Sequence, residues 1–167
     1  TMRVLDQAGI AYAGLRERAE IAIVERDGIR YGICAFAPFI DMCDIYDFQH
    51  VTHNIQLLRQ QHHCDLVIVT HHGGAEGVAA TRVTRQDEFF GGGRRGNVYN
   101  FSHHCIDAGV DMVHISDDWG AQNTLLFSPD FWRTYIKPHL KRVIDRVHDR
   151  GCLASLHSDG CINLVTD

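Results

Sequence analysis

VYNFSHHCIDAGVDMVHI, residues 98–115, decides how this chain folds. Val98 to Ala108 carries a helical pattern that Gly109 stops, because glycine accepts the positive φ favoured just past a helix end. From Val110 to Ile115 the residues are β-prone and mostly apolar, as in a buried strand. Helix, glycine, strand is half of a right-handed crossover, and the pattern recurs on both sides.

Upstream, Val51 to His63 places Ile55, Leu57 and Leu58 on one side of a helix, and Asp65 to Thr70 follows as a strand. Downstream, Ser128-Pro129 supplies a capping hydroxyl and a first-turn proline to a helix running toward Arg150. Pro138 should kink that helix, Gly151 should stop it, and Cys152 to Leu156 should be the last strand. Nearer the start, Ala19 to Val24 and Ile29 to Phe36 flank Asp27-Gly28, a preferred two-residue hairpin turn. The expected fold is layered α/β, with a parallel core sheet of residues 65–70, 110–115 and 152–156 extended by the antiparallel hairpin. Met2 to Ala8 reads as the last turns of a helix closed by Gly9, so the chain is expected to start inside a larger arrangement. Trp119, Phe127, Phe131 and Trp132 are expected to pack the long helix rather than to form a cofactor box.

Parallel sheets display their chemistry at the carboxyl ends of the strands. Here those ends are followed by HHGG (71–74), SDDWG (116–120) and HSDG (157–160). The glycine-rich stretch His71 to Gly96 is too long for an ordinary connection, which marks it as functional or lid-like.

A composition of 45% hydrophobic and 22% charged residues places the chain among globular proteins. Its formal charge of −5 and scattered basic residues carry no electrostatic footprint for nucleic acid. No apolar run approaches the roughly 20 residues that span a bilayer, so a cytoplasmic protein is expected, with an upstream targeting signal left open. The six cysteines lack a CxxC pair and read as reduced, packed thiols.

The motifs QAGIAYAG, VIVTHHGGAEG and DEFFGGGRRGNVYNFSHHCIDAGVDMV give residues 1–113 a resemblance to the CapA family of capsule and poly-γ-glutamate synthesis. The resemblance implies a calcineurin-like metallophosphoesterase with a two-metal site, acting on a small-molecule or peptide-like substrate. It makes His72 the candidate metal ligand and Glu76 a catalytic, substrate-binding or ligand-orienting group. The family's aspartate and Asn-His motif would lie before Thr1, and its Gly-His-x-x-His motif is replaced by His114-Ile115-Ser116. Read from the residues alone, His71, His72 and Glu76 equally suit a polar loop. Gly91-Gly92-Gly93 before Arg94-Arg95 suits either a cradle for a substrate phosphate or carboxylate, or a solvated loop. The histidines at 50, 53, 62, 63, 103 and 104 are expected on helix surfaces or packed.

From His114 on, HISDDWGAQN, the SPDF-led helix and LHSDG resemble the uroporphyrinogen decarboxylase superfamily, which includes corrinoid methyltransferases. That implies part of a TIM barrel with active residues after the strands. Asp118 would be a catalytic carboxylate and Asp117 a substrate-binding one. His157 falls where the methyltransferase branch holds zinc with His-x-Cys, with Asp159 in the cysteine's place and Cys161 two residues further on. Both sets imply a divalent metal, zinc or manganese. The reading is a composite of two segments, 1–113 and 114–167, packed as one unit, with a natural or an engineered junction. It derives from a CapA-like hydrolase with impaired catalysis; the alternatives are a decarboxylase or methyltransferase relative with a zinc site, and a non-catalytic scaffold.

Overall fold

The computed structural model describes residues 2–76, 80, 84–116 and 119–166. The chain divides into two compact units, Thr1–Asp111 and Met112–Asp167.

In the first unit, helix α1 (Met2–Ala8) precedes the hairpin of β1 (Ile21–Arg26) and β2 (Ile29–Phe36). Asp27 and Gly28 both take positive φ, 53° and 78°, as the expected turn type requires. Helix α2 (Phe48–Gln56), extended by a π-turn at Leu57–Gln61, then leads to β3 (Leu66–His71). The helix starts earlier than residue 51 because the Asp47 carboxylate caps it, accepting the His50 N–H at 3.0 Å.

β3 runs parallel to β2, from Tyr31 opposite Leu66 to Phe36 opposite His71, so the sheet order is β1-β2-β3. The sequence pattern had given β3 a place beside residues 110–115. The crossover begins one strand earlier, since the second strand of the hairpin is also the first strand of a β–α–β unit. Gly32 makes this packing possible: a Cβ there would lie 2.9 Å from both Cys64 Sγ and Leu58 Cδ2. The core gathers Cys34, Phe36, Ile45, Val51, Ile55, Leu58, Val67 and Phe101. Burial, with the neighbouring cysteines, pushes the Cys34 thiol up to about 12, and burial does the same to Cys105; both are packing groups rather than nucleophiles.

Within the stretch 71–96 a second hairpin forms from β4 (Glu88–Phe90) and β5 (Gly93–Gly96), closed by Gly91 and Gly92 at φ 60° and 80°. Helix α3 (Val98–Ala108) follows, capped by Asn97 and ended by Gly109 at φ 101°. Asp111 closes the unit by accepting the Val67 N–H at 2.6 Å and pairing with Arg59.

The second unit is one crossover: β6 (Met112–Ser116), a helical segment, and β7 (Leu153–His157), with β6 and β7 parallel and Ser116 opposite His157. The helical segment starts at α4 (Pro129–Phe131), where Ser128 Oγ accepts the Phe131 N–H at 3.1 Å. The expected disturbance at Pro138 takes the form of a π-turn at Trp132–Ile136 just before α5 (Lys137–His148). Proline offers no N–H to the turn before it, and the π-turn absorbs that missing bond, with Lys137 N–H reaching back to Trp132 O. Trp119 and Trp132 meet edge to face at 5.8 Å in a small core with Leu125 and Val165. Phe131 lies outside that core, 46% exposed against Phe127 and Tyr135.

Candidate functional site

Three places carry chemistry, two in the first unit and one in the second. At the carboxyl end of β3 the His72 N–H bonds Phe36 O at 3.0 Å, which fixes the backbone where the strand ends. Arg95, on β5, sends Nη2 to His72 Nε2 and to Glu76 Oε1, each at 2.7 Å. Arginine has only donors, so His72 Nε2 accepts and its proton sits on Nδ1. A metal at His72 Nε2 would have to displace that guanidinium. Gly73 and Gly74 do allow a close approach, but by the protein itself: Gly74 N–H bonds Arg95 O at 2.8 Å.

Arg95 also lines a cavity of about 560 Å³ with Arg94, Pro38, Phe39, Tyr46 and Phe90. Its guanidinium lies over the Phe39 and Phe90 rings, at 5.8 and 5.6 Å. Although Arg95 is 9% exposed, its Nε is buried and hydrogen-bonds nothing. Arg94 stacks on Tyr46 at 4.4 Å and pairs with Asp87. A fixed cation with a spare donor, set among aromatic rings, suits an anionic group better than a metal ion. The wall behind is held by Glu88, whose carboxylate accepts the Ala75 N–H at 2.8 Å, the Thr84 N–H at 2.7 Å and the Thr84 hydroxyl at 3.1 Å. Burial raises the proton affinity of Glu88, but these three donors outweigh it and hold the carboxyl below 4.5.

In the second unit, the carboxyl end of the β6–β7 pair brings His157 Nε2 to Asp159 Oδ1 at 3.1 Å, both exposed to solvent. His114 lies beside them, its ring 6.1 Å from that of His157 and its Nδ1 3.1 Å from Ser155 Oγ. The segment after β6 is bound to the segment after β7: Trp119 N–H donates to Ser158 Oγ at 2.8 Å and Cys161 N–H to Ala121 O at 2.8 Å. A Cβ on Gly120 would stand 2.5 Å from Asp159 O, so only glycine fits. Asp117 and Asp118 lie outside the described residues. His114 and Ser155 were missed by the sequence reading; their signal was a polar side chain recurring inside strands.

Among the described residues, Glu20, Cys43 and His50 form a His/Cys/carboxylate group tight enough for an ion, with ligand atoms within 4.8 Å of one another. His72, His157, Asp159 and Cys161 belong to no such group among the described residues. No sequence motif links Glu20, Cys43 and His50, and the sequence pattern alone puts His50 on a helix surface or in packing.

Residues 96–167 match the family model for uroporphyrinogen decarboxylase (URO-D). The URO-D match covers less than half of the chain and begins at Gly96, upstream of His114, where the resemblance had been placed. It therefore takes in α3 and the Gly109 stop as well as β6, the helical segment and β7. The comparisons lend no support to a capsule-synthesis resemblance for residues 1–113. No curated protein and no solved structure gives a match. No helix among the described residues is long and apolar enough to cross a membrane.

Proposed function

We propose that the matched segment carries a URO-D-type ligand-binding rim at the carboxyl ends of β6 and β7, and that the chain is a relative of the decarboxylase and methyltransferase enzymes. The observation that carries this is the His157–Asp159 hydrogen bond at the end of β7, inside the matched segment. Loss of CO2 from a carboxylate leaves an electron pair on carbon that must take up a proton. An imidazole oriented by a carboxylate is suited to deliver that proton. Asp117 and Asp118, following β6, supply acceptors for the N–H groups of a pyrrole, with Asp118 as the catalytic carboxylate. The zinc version of this reading, with His157 and Asp159 as ligands, is the weaker one, since no third ligand joins them among the described residues.

Trp119 and Trp132 are the chain's two tryptophans and both lie in the second unit, so they report ligand there. Uroporphyrin, a coloured tetrapyrrole polycarboxylate, should quench them saturably, and His157→Gln or Asp159→Asn should weaken the effect by about tenfold, the worth of one charge-assisted hydrogen bond. Quenching that is non-saturable, or equal in both variants, would remove this function.

A second reading rests on the buried, unpartnered Nε of Arg95 in the first unit. There the cavity binds a phosphate or carboxylate through Arg94 and Arg95, with Glu76 and His72 beside it.

A further inference from the structure

Glu20, Cys43 and His50 come from three separate stretches: the residue before β1, the loop between β2 and α2, and the first turn of α2. Each is fixed before any ion arrives. Cys43 is fully buried, and its backbone is tied on both sides, N–H to Gly14 O at 2.8 Å and carbonyl to Ala37 N–H at 2.9 Å. His50 sits on a capped helix start with its ring edge-on to Phe36 at 6.2 Å. Glu20 takes the Glu17 N–H on Oε1 at 3.3 Å, leaving Oε2 facing His50 Nε2 at 3.0 Å.

Tetrahedral zinc with ordinary bond lengths separates neighbouring ligand atoms by roughly 3.3–3.6 Å. The present atoms are as close as 3.0 Å and none is beyond 4.8 Å, so shifts of about an ångström would fit an ion. A thiolate, an imidazole and a carboxylate together select zinc or cobalt over magnesium or calcium.

We infer that Glu20, Cys43 and His50 form a three-ligand site for a zinc-class divalent cation, with a fourth position open to water or another small ligand. The site is independent of the proposed URO-D-type rim, because all three ligands lie outside the matched residues 96–167.

The test is titration of the full, reduced chain with Co(II), followed by Zn(II) competition. One equivalent of Co(II) should give the near-ultraviolet thiolate charge-transfer absorption and visible bands of a tetrahedral centre, and Zn(II) should erase both. Cys43→Ser should abolish the charge-transfer absorption, and His50→Gln should weaken Co(II) affinity by at least about tenfold. Because a buried cysteine variant can misfold, Glu20→Gln is the second arm: Zn(II) should raise the melting temperature of the wild type and leave Glu20→Gln unmoved. Absence of thiolate absorption in the folded wild type would overturn the site and leave only a Glu20–His50 ion pair beside a packed thiol. Absorption that survives in Cys43→Ser would overturn it equally, by assigning the ion to another cysteine.

Discussion

Arg95 reaches His72 across 23 positions of sequence, Nη2 to Nε2 at 2.7 Å, and the same nitrogen holds Glu76 Oε1 at 2.7 Å. One cation thus organises the end of β3, neutralises its carboxylate and fixes the tautomer of its histidine. The residue proposed from sequence as a metal ligand and the residue proposed as a substrate contact are partners.

Replacing Arg95 by Met should therefore act on anion binding. Charge-assisted hydrogen bonds contribute about 1.5–3 kcal/mol, so inorganic phosphate should bind Arg95→Met some 10–100-fold more weakly than the wild type. Arg85→Met, which removes an arginine stacked on Tyr99 at 4.8 Å, is the control. Equilibrium dialysis with labelled phosphate reads the difference, and equal binding by both variants would empty the cavity of this role.

Glu88 should make the first unit acid-sensitive. Its carboxyl titrates below 4.5 in the folded chain, so the unfolded chain binds the proton more readily. The contribution of Glu88 is therefore present above about pH 4.5 and is lost as pH falls through the depressed folded value. Glu88→Gln should cost about 1–3 kcal/mol at neutral pH and less once the wild-type carboxyl is protonated, because the Ala75 and Thr84 donors lose a charged acceptor. Urea unfolding followed by far-ultraviolet circular dichroism across that range tests it; a penalty that does not shrink with acid contradicts it.

Gly120 has no room for a side chain, since its Cβ would stand 2.5 Å from Asp159 O and 2.7 Å from Cys161 N. Gly120→Ala must push the chain around Gly120 away from the segment after β7 that carries Asp159. Tryptophan fluorescence reads the second unit alone, and its thermal midpoint should fall by several degrees, since about 1 kcal/mol moves a small domain's midpoint by roughly 4–8 °C. An unchanged midpoint would mean that the contact carries no stability.

The local elements were readable wherever one residue type decides the backbone. Asp27-Gly28 announced the hairpin, Gly109 the end of α3, and Ser128-Pro129 the start of the long helical segment, because each satisfies a backbone demand that few residues meet. Pairing was less readable. The pattern of alternating helices and strands does not say which strand β3 joins, and β2 was overlooked as the first strand of its crossover because it also serves the hairpin. Of the candidate residues, Arg94, Arg95, His72 and Glu76 are gathered at one end of the first unit and His157 meets Asp159 in the second. The Glu20, Cys43 and His50 group had no signature in the sequence, since three folded segments bring together residues that no motif spacing relates.

The most direct test is calorimetric titration of the full chain with uroporphyrin, comparing the wild type with Asp118→Asn and Arg95→Met. A URO-D-type rim predicts one binding equivalent in the wild type, affinity lowered by about tenfold or more in Asp118→Asn, and affinity unchanged in Arg95→Met. No binding heat, or loss of binding in Arg95→Met with Asp118→Asn unaffected, would contradict it.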